Sequence, residues 1–329
     1  MIQIEFFLGI LRYLRWRFMA TLICGSMAYD NIMVFQDSFK NHILPDKIHI
    51  LNVSFLVSEM RREFGGCAGN IAYGLTLLGD SALPMATVGR DFAPYADWMD
   101  THGVTCRSLK IVDEAYTAQA FIITDSDNNQ ITMFHPGAMA FSHNNSVNTI
   151  EDVTLAIVSP DGFEGMKQHA SDLAERGIPF IFDPGQAMTM FGKEDLDTFL
   201  KQASWVIVNG YEWEMLQERT GFSMAQVLER VRALIVTQGA QGSVIYTQQA
   251  SLEIPALSVS PVLDPTGCGD AYRAGVLYGL SRDMDWEITG RIGTLMGAIN
   301  AQNVGTQNYR FGVDDFKERF KAAFGYHFQ

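Results

Sequence analysis

Basic residues are scarce in this 329-residue sequence: Lys and Arg number 24 against 37 Asp and Glu, which gives a formal net charge of −13. A surface with such an excess of acid repels phosphate backbones and anionic lipid headgroups. We therefore expect neither nucleic acid nor a membrane among its partners. A local pocket for one small phosphate-bearing ligand is still compatible with this charge.

Cysteine is scarce as well, and the four thiols are Cys24, Cys67, Cys106 and Cys268. No two of them form a C-x-x-C pair, and their spacing fits no zinc site. Hydrophobic residues make up 47% of the chain, enough for a core that needs no disulfides. The sequence predicts reduced thiols in the cytoplasm.

Long apolar runs are missing from the first 18 residues, which are interrupted by Arg12, Arg15 and Arg17 and have Phe6–Leu11 as their longest uncharged run. A signal peptide carries its positive charge before its apolar stretch, and here that order is reversed. Our hypothesis is that Met19 is the natural start and that residues 1–18 are a mis-called extension or a disordered leader. The alternative is an amphipathic surface helix. A mass spectrum of the native protein that includes these residues would contradict the hypothesis of a later start.

Two common nucleotide-binding motifs are also absent. The chain has neither a G-x-G-x-x-G fingerprint nor a G-x-x-x-x-G-K-[ST] loop. Their absence argues against a nicotinamide dehydrogenase and excludes the P-loop kinases and ATPases.

Short apolar segments that alternate with helical patterns follow Met19. The strand candidates are Thr21–Cys24, Ala82–Val88, Val153–Val158, Pro179–Phe182, Trp205–Val208, Ala233–Thr237 and Ser243–Tyr246. The helix candidates are Asn70–Leu78, Tyr95–Thr101, Lys167–Glu175, Tyr211–Arg219, Ala225–Arg232 and a segment around residues 292–299. Strands that are apolar throughout indicate a parallel sheet covered on both faces. We expect one α/β domain over residues 19–329, with a doubly wound, mostly parallel sheet.

Two segments, about 30–64 and 107–136, show strand patterns without helices between them. Asp127-Asn128-Asn129 between two of these strands is typical of a hairpin turn. We expect the two segments to form a small β-sheet that serves as a lid over a site at the carboxyl ends of the large sheet.

Asp264-Pro265-Thr266-Gly267-Cys268-Gly269-Asp270 is the strongest chemical motif. Its glycines allow a tight turn, and a helix expected to begin at about Asp270 would direct its backbone amides at an anion. A carboxylate at that position suits a general base that takes a proton from a hydroxyl while the amides hold a phosphoryl group. The alternative is that Asp270 only caps the helix.

Three weaker motifs also lie where strands or helices are expected to end or begin. Gly65-Gly66-Cys67-Ala68-Gly69-Asn70 allows close approach of a ligand or close helix packing. Asn209 and Glu212 suit metal-bound water or a helix start. Thr237-Gln238-Gly239-Ala240-Gln241-Gly242 suits a phosphate-facing loop or a simple turn.

In this order, and over nearly the whole chain from Met19, the motifs resemble the signatures of the ribokinase-like (PfkB) family of sugar and nucleoside kinases. The resemblance implies that Asp270 activates a substrate hydroxyl and that the backbone amides of Gly267, Cys268 and Gly269 bind the γ-phosphoryl group of ATP. The residues that it implies for ATP binding are Asn209, Thr237, Gly239, Gly242, Asn300 and Asn303. It implies substrate contacts from Asp30, Gly65, Gly66 and Asn70. Mg²⁺ would be organised through water by Asn209 and Glu212, and K⁺ or another monovalent cation would lie near Asp264.

The chain departs from the family pattern at three positions. Cys268 stands where Ala is common, Gly210 where a polar residue is common, and Arg273 where an apolar residue is common. Three stretches are similar to bacterial chains assigned as adenosine kinases: Arg61–Asn70, Asp183-Pro184-Gly185-Gln186 and Phe134–Ala138. Phe121, Phe134 and several methionines in the expected lid suit a purine base, or they form the lid's own core. The resemblance thus favours phosphorylation of adenosine, with a sugar kinase as the alternative, and a homodimer through the lid. A non-catalytic ligand-binding regulator is the alternative from another class.

Overall fold

A nine-stranded sheet with helices on both faces organises the chain. The computed structural model describes residues 20–50, 52–127 and 129–328, so the hypothesis on residues 1–18 and Met19 lies outside the described residues, as does Asn128. The strands are β1 (Ala20–Cys24), β2 (Ala28–Val34), β3 (Glu59–Gly65), β4 (Ala82–Gly89), β5 (Leu109–Val112), β6 (Ala118–Thr124), β7 (Gln130–His135), β8 (Val153–Val158), β9 (Phe180–Phe182), β10 (Trp205–Asn209), β11 (Ala233–Thr237), β12 (Ser243–Tyr246) and β13 (Ser251–Ile254). The α-helices are α1 (Cys67–Leu77), α2 (Ala93–Thr101), α3 (Phe163–Glu175), α4 (Lys193–Gln202), α5 (Gly210–Thr220), α6 (Met224–Leu228), α7 (Cys268–Ser281), α8 (Trp286–Ala301) and α9 (Val313–Phe324).

The large sheet has the strand order β13-β12-β11-β10-β9-β8-β1-β4-β5. Neighbouring strands pair in parallel from β11 to β5, and only the β11–β12 and β12–β13 pairings at one edge are antiparallel, so β12 alone runs against the other strands of this sheet. The predicted doubly wound, mostly parallel fold is therefore confirmed. Helices α4 and α9 and strand β13 are not among the candidates from the sequence.

Apolar side chains from the central strands fill both faces of this sheet. In β1, Ile23 packs into the core on one face, whereas Leu22 and Cys24 pack into the core on the other. In β8, Ile157 and Val158 divide in the same way. This alternation is why the strands are apolar at every position.

A second sheet of four strands, in the order β3-β2-β6-β7, lies within the two segments that the sequence set apart. The expected hairpin is present, because β6 and β7 pair antiparallel on either side of residue 128. Strand β5 corrects the expectation for residues 107–136, since it pairs with β4 at the edge of the large sheet. The second sheet also begins earlier than expected, at Ala28.

Glycines let the helices that carry the site approach each other closely. A Cβ on Gly275 of α7 would lie 2.6 Å from the Cα of Gly293 in α8, and a Cβ on Gly74 of α1 would lie 3.0 Å from the Cβ of Ala274. These contacts pack α7 closely against both α8 and α1. Within the described ranges, no helix combines the length and apolar character that a bilayer crossing requires.

Candidate active site

Asp270 and Asn70 meet where α1 and α7 begin, although 200 residues separate them in sequence. Asn70 Nδ2 donates a hydrogen bond of 2.8 Å to Asp270 Oδ2. Helix α7 begins at Cys268, two residues earlier than expected, and its N-cap is Gly267 with no side-chain cap. The geometry thus argues against Asp270 as a helix cap and leaves its carboxylate available for chemistry.

Burial raises the pKa of Asp270 to about 6, although the guanidinium of Arg273 and the amide of Asn70 pull it downward. A carboxylate with a pKa near 6 is mostly ionised at neutral pH and is more basic than an exposed aspartate. It is therefore suited to accept a proton from a hydroxyl group during a reaction.

The loop before α7 presents backbone amides beside this carboxylate. Gly267 adopts φ +80°, a left-handed conformation that favours glycine, and a Cβ there would lie 2.9 Å from Thr306. The N–H of Cys268 donates to the carbonyl of Pro265 at 3.2 Å. Among the described residues, the N–H of Gly269 has no such acceptor, so at the positive end of α7 it can bind an anion.

Asn300 and Asp264 hold this loop in place. Asn300 is fully buried at the end of α8, and its Nδ2 donates to the carbonyl of Thr266 at 2.7 Å and to Cys268 Sγ at 3.4 Å. Asp264 accepts the N–H groups of Thr266 and Gly305 at 2.9 and 3.0 Å. Burial raises the pKa of Asp264, but these hydrogen bonds outweigh it and the net pKa is lowered.

Asn303, the other asparagine expected near adenine, donates to the carbonyl of Ile299 at 2.8 Å. In this structure the side chains of Asn300 and Asn303 both bind backbone within the protein. These hydrogen bonds do not support the prediction that either side chain contacts adenine directly.

The carboxylate of Asp30 on β2 lies where a side chain at residue 65 would otherwise be. A Cβ on Gly65 would lie 2.4 Å from Asp30 Oδ2. Gly66 has φ +88°, and a Cβ on it would lie 2.5 Å from the carbonyl of Ser26. Burial, Asp270 and Glu63 together raise the pKa of Asp30 to about 6. The Asp30 carboxylate thus lies near enough to Asp270 for the charge of Asp270 to raise its pKa.

Strand register assigns the two lid phenylalanines to different faces of the small sheet. Asp30 pairs with Ala120 on β6, and Ala120 pairs with Phe134 on β7, so these three residues share a face. Phe121 comes one residue after Ala120 and lies on the opposite face. The structure thus brings Phe134 to the Asp30 side and directs Phe121 away from it.

Asn209 and Glu212 form the capping box of α5. Asn209 Oδ1 accepts the N–H of Glu212, and Glu212 Oε2 accepts the N–H of Asn209, both at 2.8 Å. Burial raises the pKa of Glu212. Thr237 is the register partner of Asn209 on the next strand, which brings these two predicted ATP-binding residues together.

Gly239 and Gly242 follow Thr237 and form the turn into β12, with φ of +57° and +101°. A Cβ on Gly242 would lie 2.1 Å from the carbonyl of Ile254, whereas Gly239 has open space. The turn requires glycine at 242 for packing, and Gly239 is the position with room for a ligand.

Arg273, one helical turn after Asp270, forms a buried ion pair with Asp183. The two residues are 8% and 1% exposed, and two hydrogen bonds of 2.6 Å join them. A Cβ on Gly269 would lie 2.8 Å from Arg273 Nη1, so the guanidinium also reaches the amide loop. Sequence reasoning recorded Arg273 only as a departure and missed its place in the site.

A buried polar cluster behind Asn70 was also missed. Gln307 Nε2 donates to Asn70 Oδ1 at 2.9 Å, and Trp98 Nε1 donates to Gln307 Oε1 at 3.1 Å. Only the spacing of Trp98 and Tyr95 on one helix face hinted at a shared contact, and nothing local pointed to Gln307.

A basic carboxylate beside an amide-lined helix N-terminus, at the edge of a doubly wound sheet, defines an enzyme that can transfer a phosphoryl group to a hydroxyl group. Comparisons with known proteins agree. Residues 30–310 match the pfkB family carbohydrate kinases. The nucleoside kinase of Methanocaldococcus jannaschii is 34% identical over 272 residues, which cover 82% of this chain and 89% of the relative.

Solved structures extend the likeness. The nucleoside kinase of Burkholderia thailandensis in complex with inosine is 48% identical, with a TM-score of 0.85 over 94% of this chain and 99% of that chain. The same enzyme in complex with ADP-inosine is 50% identical, with a TM-score of 0.83 over 94% of this chain and 97% of that chain. This chain belongs to the PfkB family of carbohydrate kinases.

Proposed function

We propose that this protein is a nucleoside kinase that transfers the γ-phosphoryl group of ATP to the 5′-hydroxyl of a nucleoside, with adenosine as the preferred substrate. The observation that carries the proposal is the pairing of Asp270 with Asn70 beside the 267–269 loop, with a second carboxylate, Asp30, near enough for the charge of Asp270 to act on it. In this proposal Asp270 takes the proton and Asp30 accepts hydrogen bonds from substrate hydroxyls.

The reaction needs one base and one anion site. Asp270 takes the proton of the 5′-hydroxyl as its oxygen forms a bond to the γ-phosphorus, and the bond from that phosphorus to the β–γ bridging oxygen breaks to release ADP. The amide of Gly269 and the N-terminus of α7 bind the charge on the transferred group. Arg273 adds positive charge beside the same loop.

A nucleoside suits the remaining groups better than a free sugar. The Asp30 carboxylate can accept hydrogen bonds from two vicinal ribose hydroxyls. Phe134, 51% exposed and on the face of the lid that carries Asp30, offers an apolar surface to a base. The inosine complex of the Burkholderia relative supports a purine nucleoside.

The oxygen donors near the ATP end fit a Mg²⁺ ion that keeps most of its water and is bound chiefly by ATP phosphates. Glu212 uses one carboxylate oxygen in its capping box and has the other free of that bond. No group of three or more His, Cys, Asp or Glu side chains that could hold a metal occurs in the described ranges. Bound Mg²⁺ would supply charge neutralisation on the phosphates. K⁺ near Asp264 stays a prediction.

The test is ADP release from MgATP with adenosine, inosine, guanosine, cytidine, ribose and fructose, with mass analysis of the product. We expect turnover with nucleosides, adenosine foremost, and none with 5′-deoxyadenosine, which lacks the acceptor oxygen. Turnover with free sugars alone would refute the nucleoside proposal and favour the sugar kinase. A lack of turnover with every acceptor of the panel, while ATP still binds, would favour the non-catalytic regulator.

Asp270→Asn tests the base, and Asp285→Asn is its matched control. Asp285 is an exposed N-cap of α8 where Asn caps equally well. We expect Asp270→Asn to lower kcat by about 10²–10⁴-fold while nucleotide binding persists, and Asp285→Asn to change neither. Near-normal turnover by Asp270→Asn would contradict the assignment.

The lid function of the small sheet and a homodimer through it stay predictions. The face opposite Asp30 carries Phe121 and the exposed side chains of Met60 and Met133, an apolar surface of the kind that a second copy could cover.

A further inference from the structure

Three hydrogen bonds link the indole of Trp98 to Asp270 through two side-chain amides. Trp98 Nε1 donates to Gln307 Oε1 at 3.1 Å, Gln307 Nε2 donates to Asn70 Oδ1 at 2.9 Å, and Asn70 Nδ2 donates to Asp270 Oδ2 at 2.8 Å. We call these four side chains the amide relay. They come from α2, the segment after α8, α1 and α7, so only the folded chain brings them together.

The chemistry of the two ends dictates which way both amides point. An indole N–H can only donate, so the oxygen of Gln307 must face Trp98 and its nitrogen must face Asn70. A donor from Gln307 requires the oxygen of Asn70, which turns the nitrogen of Asn70 toward Asp270. In the reverse orientation of Asn70, its Nδ2 would face Gln307 Nε2, two donors without an acceptor, and its Oδ1 would face the carboxylate of Asp270, two acceptors without a donor.

Burial prevents water from replacing these partners. Gln307 is 2% exposed and Asn70 is 5% exposed. The second hydrogen of Gln307 Nε2 is used by Tyr95 Oη at 2.5 Å, and that hydroxyl donates to the carbonyl of Gly65 at 2.8 Å. A Cβ on Gly69 would lie 2.1 Å from Tyr95 Oη, so this hydroxyl packs directly against the backbone of α1.

We propose that Trp98 and Gln307 are positioning residues that fix the amide of Asn70 with its N–H toward Asp270 and so stabilise the ionised form of the base. The inference deepens the proposed function and rests on it, since it matters only if Asp270 is the base. Without the indole donor, only Tyr95 Oη holds the outer side of the Gln307 amide, so Gln307 and then Asn70 rotate more readily, and the charge-assisted hydrogen bond to Asp270 is weakened.

Other groups also act on Asp270 and have to be kept constant. The charged and titratable side chains that face it are Arg273, Asp183, Asp30, Cys67, Cys268 and Tyr309. None of them is part of the relay. Burial raises the pKa of both thiols and of the phenol, so all three are neutral in the working range of the enzyme.

Trp98→Phe removes the donor and keeps an aromatic ring. The ring stacks on Phe64 at 5.2 Å between centroids and packs against His102 at 3.9 Å, contacts that phenylalanine retains in large part. Gln307→Met is the second variant, because it removes the amide and keeps the length of the side chain. Trp286→Phe is the matched control: it is the same substitution at a half-buried tryptophan outside the site.

The measurement is the pH dependence of kcat/KM from pH 5 to 9, with thermal unfolding as a check on folding. We expect the acidic midpoint of Trp98→Phe and of Gln307→Met to rise by about one pH unit, so that kcat/KM well below the midpoint falls about tenfold. Above pH 8, where Asp270 is ionised in every variant, the loss should shrink toward zero. The double variant should shift no further than either single variant, because both changes break the same relay.

A purely structural role of Trp98 would lower kcat/KM equally at all pH values and leave the midpoint in place, and that result would overturn the relay. A wild-type profile without an acidic limb, together with an active Asp270→Asn variant, would overturn the proposed base and the relay with it. A wild-type limb that Trp98→Phe and Gln307→Met do not shift would overturn the relay alone. An equal shift in Trp286→Phe would also count against it.

Discussion

The ion pair between Arg273 and Asp183 predicts that one substitution damages stability and catalysis by separable routes. Arg273→Met leaves the carboxylate of Asp183 without its counter-charge at a position that is 1% exposed. Ser159 still donates to it at 2.9 Å, but one neutral hydroxyl cannot replace a bidentate guanidinium. Breaking a buried pair on one side costs roughly 3–5 kcal/mol of the free energy of unfolding. That is a large part of the roughly 5–15 kcal/mol that holds a domain folded.

Urea unfolding measures this cost. With an m value of roughly 3 kcal/mol per molar urea, the midpoint of Arg273→Met should fall by about 1–1.7 M. The double variant Arg273→Met/Asp183→Asn removes both charges, so it should regain much of the lost stability. Arg319→Met is the matched control, since Arg319 pairs with Asp315 at an exposed site and should cost under about 1 kcal/mol.

Catalysis should not recover with stability. Because Arg273 Nη1 reaches the loop at Gly269 and its charge lowers the pKa of Asp270, we expect kcat to fall by about 10²–10³-fold in the single and double variants alike. The reasoning is refuted if Arg273→Met costs no more stability than Arg319→Met. It is also refuted if the double variant regains normal kcat.

Three further predictions concern single side chains of the site. The folded-state pKa of Asp270 is raised to about 6 from an ordinary value of 3.8, so its contribution to stability is present below about pH 4 and is lost as pH rises through 6. In thermal unfolding, the stability of Asp270→Asn should therefore match that of wild type at pH 4 and be greater by about 1–3 kcal/mol at pH 8. Equal stability of the two proteins at pH 8 would contradict this. Gly65→Ala puts a methyl group 2.4 Å from an oxygen of Asp30. Steady-state kinetics should then show a KM for the nucleoside that is raised by about tenfold or more, with the KM for ATP little changed. A raised KM for ATP with an unchanged KM for the nucleoside would count against Asp30 as a substrate ligand. Asn300→Leu removes the 2.7 Å hydrogen bond to the carbonyl of Thr266. Because this loosens the loop that binds the anion, kcat should fall about tenfold or more in the same assay. An unchanged kcat with weaker ATP binding would instead favour a contact between Asn300 and adenine.

Local patterns were enough to predict the large sheet and the convergence of its motifs. Strands that are apolar at every position can only be covered on both faces, as β1 and β8 are. Parallel strands end at one edge, so Asn209 and Thr237 had to approach each other, and their register pairs them. Strand β5 was assigned to the wrong sheet because four residues at an edge carry no pattern that selects a partner.

The contacts that tune the base could not be read from the sequence, because both ends of each contact are ordinary residues far apart in the chain. Trp98 and Gln307 are 209 residues apart, and Gln307 and Asn70 are 237 apart. A tryptophan or glutamine by itself fits many environments, and only the crossing of α1, α2 and α7 decides which donor meets which acceptor. Amide orientation is therefore a property of the fold.

Arg273 is a case in which the sequence contained more than a local interpretation could use. An arginine on the apolar face of a helix is either exposed or paired, because an unpaired buried guanidinium is too costly to persist. A carboxylate partner is therefore implied, and the best place for it is the carboxyl edge of the sheet that the helix N-terminus faces. Asp183 directly follows β9 at that edge. Two features that stood apart in the sequence, the departure at Arg273 and the Asp183-Pro184 segment, are thus the two halves of one ion pair, and each makes the other predictable.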